Sequence, residues 1–257
     1  MIKIKNLSRK YGNNTVLNNV SFQIKYKQST AIVGESGSGK STIANILLGF
    51  YKENTAEISY QGRSLNEFNS NDWKNYRKDI QPVFQDAKNS LDPRMKVKDI
   101  IAEPLCNFTK LSKQERYNKV KEILELVDLN KEDGEKFPHA FSTGQQKRIN
   151  LARAIICNPK IVILDELTSG LDPEIKNNII NLIKRFHEDY NITFIVITHD
   201  ISVAMSLTSH IIILKEGIVV EDVIHSNDIS NLKTSYAHEL IEAVPKLKYI
   251  ELIKKSV

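Results

Sequence analysis

The sequence predicts an α/β fold with a mainly parallel sheet, and the order of its apolar segments supports that prediction. Short runs of β-branched residues alternate with helical stretches over residues 30–48 and again over 161–214. Continuous apolar runs of this kind are typical of parallel strands that helices cover on both faces. Residues 88–140 read as a helical lobe inserted into this core, and residues 1–30 predict an additional N-terminal antiparallel β region.

The N-terminal β region is predicted from the alternation of apolar and polar residues. Residues 2–4, 15–17 and 20–24 read as three short strands, and residues 11–14 and 18–19 read as the turns between them. Both turns contain Asn or Gly, which accept the backbone conformations that turns require. We therefore expect three separate strands within the first 24 residues.

A glycine-rich segment, "GESGSGKST" at 34–42, follows a predicted strand at 30–33 and leads into a predicted helix at 41–48. It matches the pattern G-x-x-x-x-G-K-[ST], in which glycines let the backbone wrap closely around phosphate groups. Lys40 is predicted to reach the β- and γ-phosphates of a nucleotide, and the Ser41 hydroxyl is predicted to bind Mg²⁺. We call this segment the phosphate loop, and its predicted binding residues are Gly34, Glu35, Ser36, Gly37, Ser38, Gly39, Lys40, Ser41 and Thr42.

Helix and strand signals alternate through the rest of the chain. Ser112 and Glu115 form a capping-box pattern, and apolar residues recur behind them at helical spacing. Asp172 followed by Pro173 predicts a helix start, and Asp200 predicts another. Further strands are predicted at 161–164, 192–197, 211–214 and 218–220, with a turn at 215–217.

Five residues outside the phosphate loop carry chemistry that suits a nucleotide site. Asp165 and Glu166 follow an apolar strand, where an Asp can hold Mg²⁺ and a second carboxylate can orient or deprotonate a water. His199 follows the next strand and can donate a hydrogen bond to a phosphate oxygen. Gln85 can contact Mg²⁺ or the water without adding charge, and Tyr11 can stack on an adenine base. Each residue also has an ordinary structural alternative, such as helix capping or simple exposure at the surface.

A second helix start with anion-binding chemistry occurs in "FSTGQQKRINLARAI", at 141–155. Ser142 is predicted to cap this helix, whose first N–H groups and positive dipole end suit an anion. The phosphate loop already supplies one such helix end. The sequence therefore raises the question of why one chain holds two of them.

The composition is that of an ordinary folded protein, with 41% hydrophobic and 26% charged residues. A net charge of +5 permits an acidic partner, nucleic acid or an anionic membrane surface, and it selects none of them. We expect Cys106 and Cys157 to be reduced, packed thiols in a cytosolic protein, since two cysteines make neither a metal cluster nor a disulfide framework. No apolar run approaches the roughly 18 residues that cross a bilayer, and no signal peptide is recognisable. We therefore expect any work at a membrane to use a partner's helices.

Taken together, these motifs resemble the ATP-binding subunit of ABC transporters, and the resemblance covers essentially the whole chain. It implies a P-loop NTPase core with an N-terminal antiparallel β subdomain and an inserted helical subdomain. The implied boundaries are 1–87 and 141–225 for the core, 88–140 for the helical subdomain and 226–257 for a C-terminal helical tail. The resemblance also implies that the chain binds ATP with Mg²⁺ and hydrolyses the ATP.

The same resemblance implies a role for each motif residue. Its implied catalytic residues are Glu166, His199, Lys40 and Gln85, and its implied Mg²⁺ ligands are Ser41, Gln85 and Asp165. Nucleotide contacts outside the phosphate loop are implied for Tyr11, Ser142, Gly144, Gln145 and Asp172. The signature segment, residues 142–145, is expected to face the nucleotide that a second ATPase subunit holds.

A narrower likeness is to the ATPases of oligopeptide, dipeptide and nickel importers, and it rests on residues 83–95, 102–105, 137–149 and 235–245. In that family two ATPases, usually different, lie beneath two membrane permease subunits that a substrate-binding protein supplies. This chain looks like the second, shorter ATPase of such a pair. The likeness implies a peripheral protein on the cytoplasmic face of the membrane, with no nucleic-acid partner.

The signature segment departs from the family pattern, in which Leu-Ser-Gly-Gly-Gln is usual. Phe141 replaces the Leu and Thr143 replaces the first Gly, and Leu167 replaces the usual Pro after the acidic pair. We expect the β-branched Thr143 to restrict a backbone that approaches phosphate, and thus to make the two ATP sites of a dimer unequal. Two other classes stay open: a soluble ATPase in an assembly or metabolic complex, and a nucleic-acid ATPase. The cargo and the choice between homodimer and heterodimer are also open.

Overall fold

The structure, a computed structural model, describes residues 1–51, 56–86, 90–225 and 232–243. Over these ranges the chain forms ten β-strands and eight α-helices. They belong to two compact units, one made of residues 1–71 with the described residues from 193 onward, and the other of residues 72–192. The predicted subdomain boundaries stay predictions. The tail predicted at 226–257 is described only at 232–243, and residues 87–89 of the importer-like segment 83–95 also lie outside the described residues.

The first unit contains an antiparallel sheet built from the N-terminal strands. In spatial order, its strands are β2 (Asn14–Ile24), β1 (Ile2–Tyr11), β4 (Glu57–Tyr60) and β5 (Arg63–Ser64). The alternation along β1 buries Ile2 and Ile4, and Ile4 lies opposite Phe22 on one side and Ile58 on the other. The apolar residues of neighbouring strands therefore share one face of the sheet.

The predicted division of 15–24 into two strands is wrong, because β2 is continuous. Asn19 has a left-handed φ of 52°, and the pairing of β2 with β1 shifts register between Leu7 and Arg9. The Asn19 N–H donates to the Ser8 hydroxyl at 2.9 Å. Asn accepts left-handed backbone more readily than most residues, and here it forms a β-bulge instead of a turn.

The same unit contains a second sheet with parallel strands. β3 (Thr30–Val33) lies between β8 (Thr193–Thr198) and β9 (His210–Lys215) and is parallel to both, while β10 (Ile218–Ile224) is antiparallel to β9. β3 and β8 are buried along their whole length, which explains their continuous apolar and β-branched sequence. The α-helices of this unit include α1 (Lys40–Leu47), α7 (Ile201–Leu207) and α8 (Ser235–Glu242).

The second unit combines a pair of parallel strands with helices. β6 (Ile80–Val83) pairs in parallel with β7 (Ile161–Asp165). The chain enters this unit through α2 (Ser70–Asp79), and the helices that follow are α3 (Val97–Phe108), α4 (Lys113–Leu126), α5 (Thr143–Ile155) and α6 (Pro173–Tyr190). The predicted capping box of α4 is confirmed, since the Glu115 N–H donates to Ser112 Oγ at 3.3 Å and the Ser112 N–H donates to Glu115 Oε2 at 2.7 Å. Parallel strands alternating with helices confirm the predicted α/β class.

The helix α6 has 18 residues and buries one apolar face, which includes Ile179, Ile183 and Phe186. Asp172 stands at its N-cap position, but its side chain makes no capping hydrogen bond, so that part of the prediction is wrong. The Pro at the first helical position already fixes a helical φ, and the first turn forms without a side-chain cap. Asn191, with a left-handed φ of 55°, ends the helix. None of the helices in the described part of the chain combines the length and the apolar character needed to span a membrane.

The two cysteines differ in exposure. Cys157 is buried, and its burial raises the pKa of its thiol to about 11. Cys106 is exposed in the last part of α3, although the preceding residue, Leu105, is buried. Successive residues of a helix point to different sides, so an apolar neighbour does not make Cys106 a core residue. The expectation that both thiols are packed is therefore wrong for Cys106.

Candidate functional site

The phosphate loop connects β3 to α1, as its sequence pattern predicts. A Cβ atom at Gly34 would lie 2.1 Å from the carbonyl oxygen of Leu214, and one at Gly39 would lie 2.6 Å from Leu17 Cδ2. Both distances are far below van der Waals contact, so glycine alone fits at these positions. Residues 35–37 at the tip of the loop are exposed. The tip of the loop is thereby presented where a phosphate can approach it.

Lys40 lies with its ammonium group inside the phosphate loop, and only 6% of its surface is exposed. Its Nζ donates to the carbonyl oxygens of Gly34 at 2.8 Å and Glu35 at 2.6 Å. No side chain caps the N-terminus of α1, which begins at this lysine, and the first turn of the helix holds no acidic residue. The positive end of the helix dipole and the lysine cation therefore lie in one cradle, which suits the phosphates of a nucleotide.

His199 and the phosphate loop leave the parallel sheet at the same edge. β3 and β8 are parallel, with Val33 opposite Thr198, so the residues that follow the two strands lie at their common carboxyl end. His199 is exposed at that edge. Asp200 Oδ1 accepts the N–H of Ser202 at 2.9 Å and caps α7, which confirms the predicted helix start and holds the backbone next to His199.

Tyr11 ends β1 with 42% of its surface exposed. Its ring meets the Tyr51 ring edge to face, with centroids 6.1 Å apart, and the Arg9 guanidinium lies 5.1 Å from the first centroid and 4.6 Å from the second. A hydrogen bond with Tyr11 raises the pKa of Tyr51. The exposed Tyr11 ring and the half-buried Tyr51 ring beside a guanidinium form a surface on which a planar base can stack. The sequence patterns mark neither Arg9 nor Tyr51 as a site residue. Arg9 lies only two residues before Tyr11 on β1, whereas Tyr51 reaches Tyr11 only in the folded chain.

In the second unit, β6 and β7 bring Gln85 and the acidic pair to a common edge. Val83 lies opposite Leu164 in the parallel pairing, so Gln85, two residues beyond β6, and Asp165, the last residue of β7, belong to the same end of the two strands. Gln85 is exposed, and Glu166 is half-buried. Glu166 has a left-handed φ of 49°, and such backbone costs a non-glycine residue about 1–3 kcal/mol and is concentrated at functional turns.

The signature segment forms the start of α5. The Gln145 N–H donates to Ser142 Oγ at 3.4 Å, and the Ser142 N–H donates to Gln145 Oε1 at 3.0 Å, so the two residues form a capping box. A Cβ atom at Gly144 would lie 2.8 Å from Ile175 Cγ2 of α6, and glycine therefore lets the two helices approach closely. Thr143 is the first helical residue, and its φ is not in the left-handed region. A helical φ is open to Thr as well as Gly, so no backbone strain at Thr143 supports the expected inequality of the two ATP sites, which stays untested.

Lys147, on the next turn of α5, is a residue of this region that the sequence analysis missed. Only 4% of its surface is exposed, and its Nζ donates to the carbonyl oxygens of Leu167 and Ser169, the second at 2.9 Å. Burial lowers the pKa of Lys147, and the negative charge of Glu166 opposes that shift. A lysine within a helix is usually exposed, so nothing in the sequence marked it as buried.

Comparison with known proteins gives the class of this protein. The model of the family described as "ABC transporter" matches residues 17–169, which include the phosphate loop and the acidic pair. The oligopeptide transport ATP-binding protein OppF of Lactococcus lactis subsp. lactis is 35% identical over 228 residues, which cover 89% of this chain and 72% of that protein. The nickel import ATP-binding protein NikE of Brucella suis biovar 1 is 33% identical over 230 residues, which cover 90% of this chain and 86% of that protein.

A solved structure extends this similarity to the fold. The dimeric post-hydrolysis state of the ATP-binding cassette MJ0796, bound to ADP and Pi, matches with a TM-score of 0.77 and 32% identity, over 87% of this chain and 98% of that one. The chain belongs to the ABC transporter family. It is an ATP-binding subunit that hydrolyses ATP to drive transport, and the resemblance that its motifs suggested is confirmed.

Proposed function

We propose that the chain is one of two ATPase subunits that power an importer for oligopeptides or nickel complexes. Its relatives OppF and NikE are an oligopeptide transport and a nickel import ATP-binding protein. In this proposal the chain lies on the cytoplasmic face of the membrane, bound to two permease subunits. An extracytoplasmic substrate-binding protein delivers the cargo to those permeases, and the second ATPase is a different chain.

The phosphate loop binds ATP in this proposal. The main observation in support of ATP binding is the position of Lys40. Its buried ammonium donates hydrogen bonds to the carbonyl oxygens of Gly34 and Glu35, at the N-terminus of a helix that no side chain caps. A buried cation of this kind is stabilised when an anion takes the place beside it. Lys40 contacts the β- and γ-phosphates, and the rings of Tyr11 and Tyr51 provide the stacking surface for the adenine.

Mg²⁺ is proposed to bind the Ser41 hydroxyl, the Asp165 carboxylate and the Gln85 amide oxygen. These are hard oxygen donors, which Mg²⁺ prefers, and Ser41 and Gln85 are exposed side chains. The described residues contain no cluster of three or more His, Cys, Asp and Glu. Few protein ligands suit Mg²⁺, which usually keeps several waters and binds substrate phosphates. When bound, the ion neutralises negative charge on the β- and γ-phosphates.

Glu166 is the proposed catalytic carboxylate, and its left-handed backbone supports that role. It orients a water and accepts the proton of that water as the oxygen attacks the γ-phosphorus. The bond between the γ-phosphorus and the oxygen that bridges it to ADP breaks, and ADP and phosphate leave. His199 donates a hydrogen bond to a γ-phosphate oxygen, Lys40 offsets the charge that develops there, and Gln85 helps to place the water.

The signature segment answers the question of the second helix end. We propose that the first turn of α5 contacts the ATP that the second ATPase subunit holds. The first-turn N–H groups of Thr143 and Gly144 are those that a helix does not use internally. Ser142, Gln145 and Asp172 are proposed to contact the same nucleotide. The dimeric arrangement of the MJ0796 cassette supports this reading.

Two substitutions test the proposed roles separately. Glu166→Gln removes the charge but keeps the shape, so it should leave ATP binding intact and lower turnover by orders of magnitude. Lys40→Met should instead abolish ATP binding. Glu188→Gln, at an exposed position near the other end of α6, is the matched control and should behave as the unmodified chain does. Near-normal hydrolysis by Glu166→Gln in the assembled transporter would exclude its proposed role.

The cargo is tested in cells that lack this chain. Uptake of a labelled oligopeptide and of radiolabelled nickel is measured before and after the chain is restored, with the Glu166→Gln variant as the inactive control. Restored uptake of either cargo supports an importer. Unchanged uptake of both, with an ATPase activity that nucleic acid or a soluble complex stimulates instead, would favour the other two classes.

A further inference from the structure

We propose that Lys147 is a positioning residue for hydrolysis, which ties the signature helix α5 to the loop that carries Glu166. This inference deepens the proposed function and rests on the catalytic role given there to Glu166. Lys147 does not touch the nucleotide in this proposal. It acts by holding the backbone of residues 167–169, and through that backbone the Glu166 carboxylate.

The geometry of the contact is specific to the loop after β7. Lys147 Nζ donates to two carbonyl oxygens, those of Leu167 and Ser169, which are one and three residues beyond Glu166. The Ser169 N–H in turn donates to the carbonyl oxygen of Glu166 at 3.0 Å and closes a tight turn. The lysine therefore holds both ends of the segment that follows the carboxylate.

Glu166 needs such support because its own backbone is unfavourable. Its φ of 49° lies in the left-handed region, which a side chain other than glycine keeps only when the surrounding structure imposes it. The two charge-assisted hydrogen bonds from Lys147 to the carbonyl oxygens of Leu167 and Ser169 are strong enough to help impose this left-handed backbone. If they are lost, the loop can relax toward ordinary backbone, and the carboxylate moves with it.

The chemistry of the buried ammonium argues against a role in packing alone. A Met or Leu would fill the same space without the desolvation that burial of a cation entails. The polar partners of Lys147 lie in the Glu166 loop, and the Glu166 charge itself interacts favourably with the ammonium. The Glu166 charge therefore offsets part of the cost of burying the Lys147 cation.

The position of Lys147 on α5 adds a connection to the signature segment. It lies one helical turn after Thr143, on a helix whose first turn packs against Ile175 through Gly144. A helix moves as a rigid element over so short a distance. A phosphate contact at the start of α5 is therefore linked, through Lys147, to the Glu166 loop of the same chain.

The test compares two replacements of Lys147 in the full-length chain, assembled with its transporter partners. Lys147→Met keeps the length but has neither donor nor charge, and it should lower the turnover number about 10- to 100-fold while the KM for ATP stays unchanged. Lys147→Gln keeps an N–H donor and should recover a large part of that turnover. Lys121→Met, at an exposed position of α4, is the matched control and should leave the turnover number unchanged.

A double variant shows whether Lys147 acts through Glu166. In the Glu166→Gln background, Lys147→Met should lower the residual hydrolysis no further, since a positioning residue has nothing left to position. A further loss equal to that in the unmodified background would overturn the proposal. So would wild-type turnover by Lys147→Met, or a parallel loss of nucleotide affinity, because each would indicate a role in packing alone.

The controls separate this inference from the proposed function. Thermal unfolding of each variant sets a temperature at which all of them are folded, and turnover is measured there. If Glu166→Gln is inactive and Lys147→Met is fully active, only the role of Lys147 fails. If Glu166→Gln hydrolyses ATP normally, the proposed catalytic role fails, whatever Lys147→Met does.

Discussion

Replacing Gly34 by Ala should destabilise the protein much more than replacing Gly37 by Ala, although both glycines lie in the phosphate loop. An added Cβ at Gly34 would lie 2.1 Å from the carbonyl oxygen of Leu214 in β9. At Gly37 nothing lies within 4 Å of the added atom, and only the φ of 82° is unfavourable to Ala. The pair therefore separates the cost of a steric clash from the cost of a backbone conformation.

The expected magnitudes follow from these two geometries. Left-handed backbone costs a residue with a Cβ about 1–2 kcal/mol, which is the expected loss for Gly37→Ala. Carbon–oxygen contacts normally reach about 3.3 Å, so Gly34→Ala requires the loop or β9 to move by roughly 1 Å. Overpacking costs about 1–3 kcal/mol and sometimes more. Because β9 is buried at Leu214 and paired on both sides, we expect a loss at or above the upper end of that range.

Equilibrium unfolding in urea, followed by circular dichroism, measures both losses. Gly62→Ala is the matched control outside the loop, since Gly62 has a φ of 85° and nothing within 4 Å of the added atom. It should lose about as much free energy of unfolding as Gly37→Ala. Equal losses for Gly34→Ala and Gly37→Ala would refute the reasoning, because the clash would then contribute nothing.

Three further predictions concern other parts of the chain. Tyr236→Phe in α8 removes the phenolic oxygen that accepts the Glu35 N–H at 3.2 Å, and it should lower the free energy of unfolding by about 1 kcal/mol in urea titrations. Thr143→Gly should leave turnover unchanged in the ATPase assay, since Thr143 already has ordinary helical backbone; a marked increase would show that its side chain obstructs the nucleotide. At pH 8 a thiol reagent should modify exposed Cys106 and spare Cys157, because burial raises the pKa of the Cys157 thiol to about 11; mass spectrometry of the peptides checks this.

Local patterns were enough for several elements of the fold and the site. The glycines and Lys40 of the phosphate loop follow a pattern in which neighbouring residues act together, so the strand, loop and helix could be predicted from their order. The capping box at Ser112 and Glu115 is likewise a contact between residues three apart. Such interactions are encoded within one turn of chain and need no knowledge of the rest of the fold.

The errors arose where a residue's behaviour depends on a neighbour that is distant in sequence. Asn19 read as a turn residue, but pairing with β1 keeps it inside β2 as a bulge. Cys106 read as a packed thiol, but the packing of α3 leaves that side of the helix exposed.

The sequence by itself determined the family, the order of the motifs and the residue types that we propose to meet ATP, because each motif is a short run whose chemistry is complete within itself. The tertiary structure alone decided that Gly34 lies against Leu214, that the Tyr51 ring meets the Tyr11 ring, and that Lys147 is buried on the Glu166 loop. These contacts join segments that are far apart along the chain. Burial and hydrogen bonding across such separations depend on how strands and helices pack against each other. A short sequence pattern contains no information about that packing.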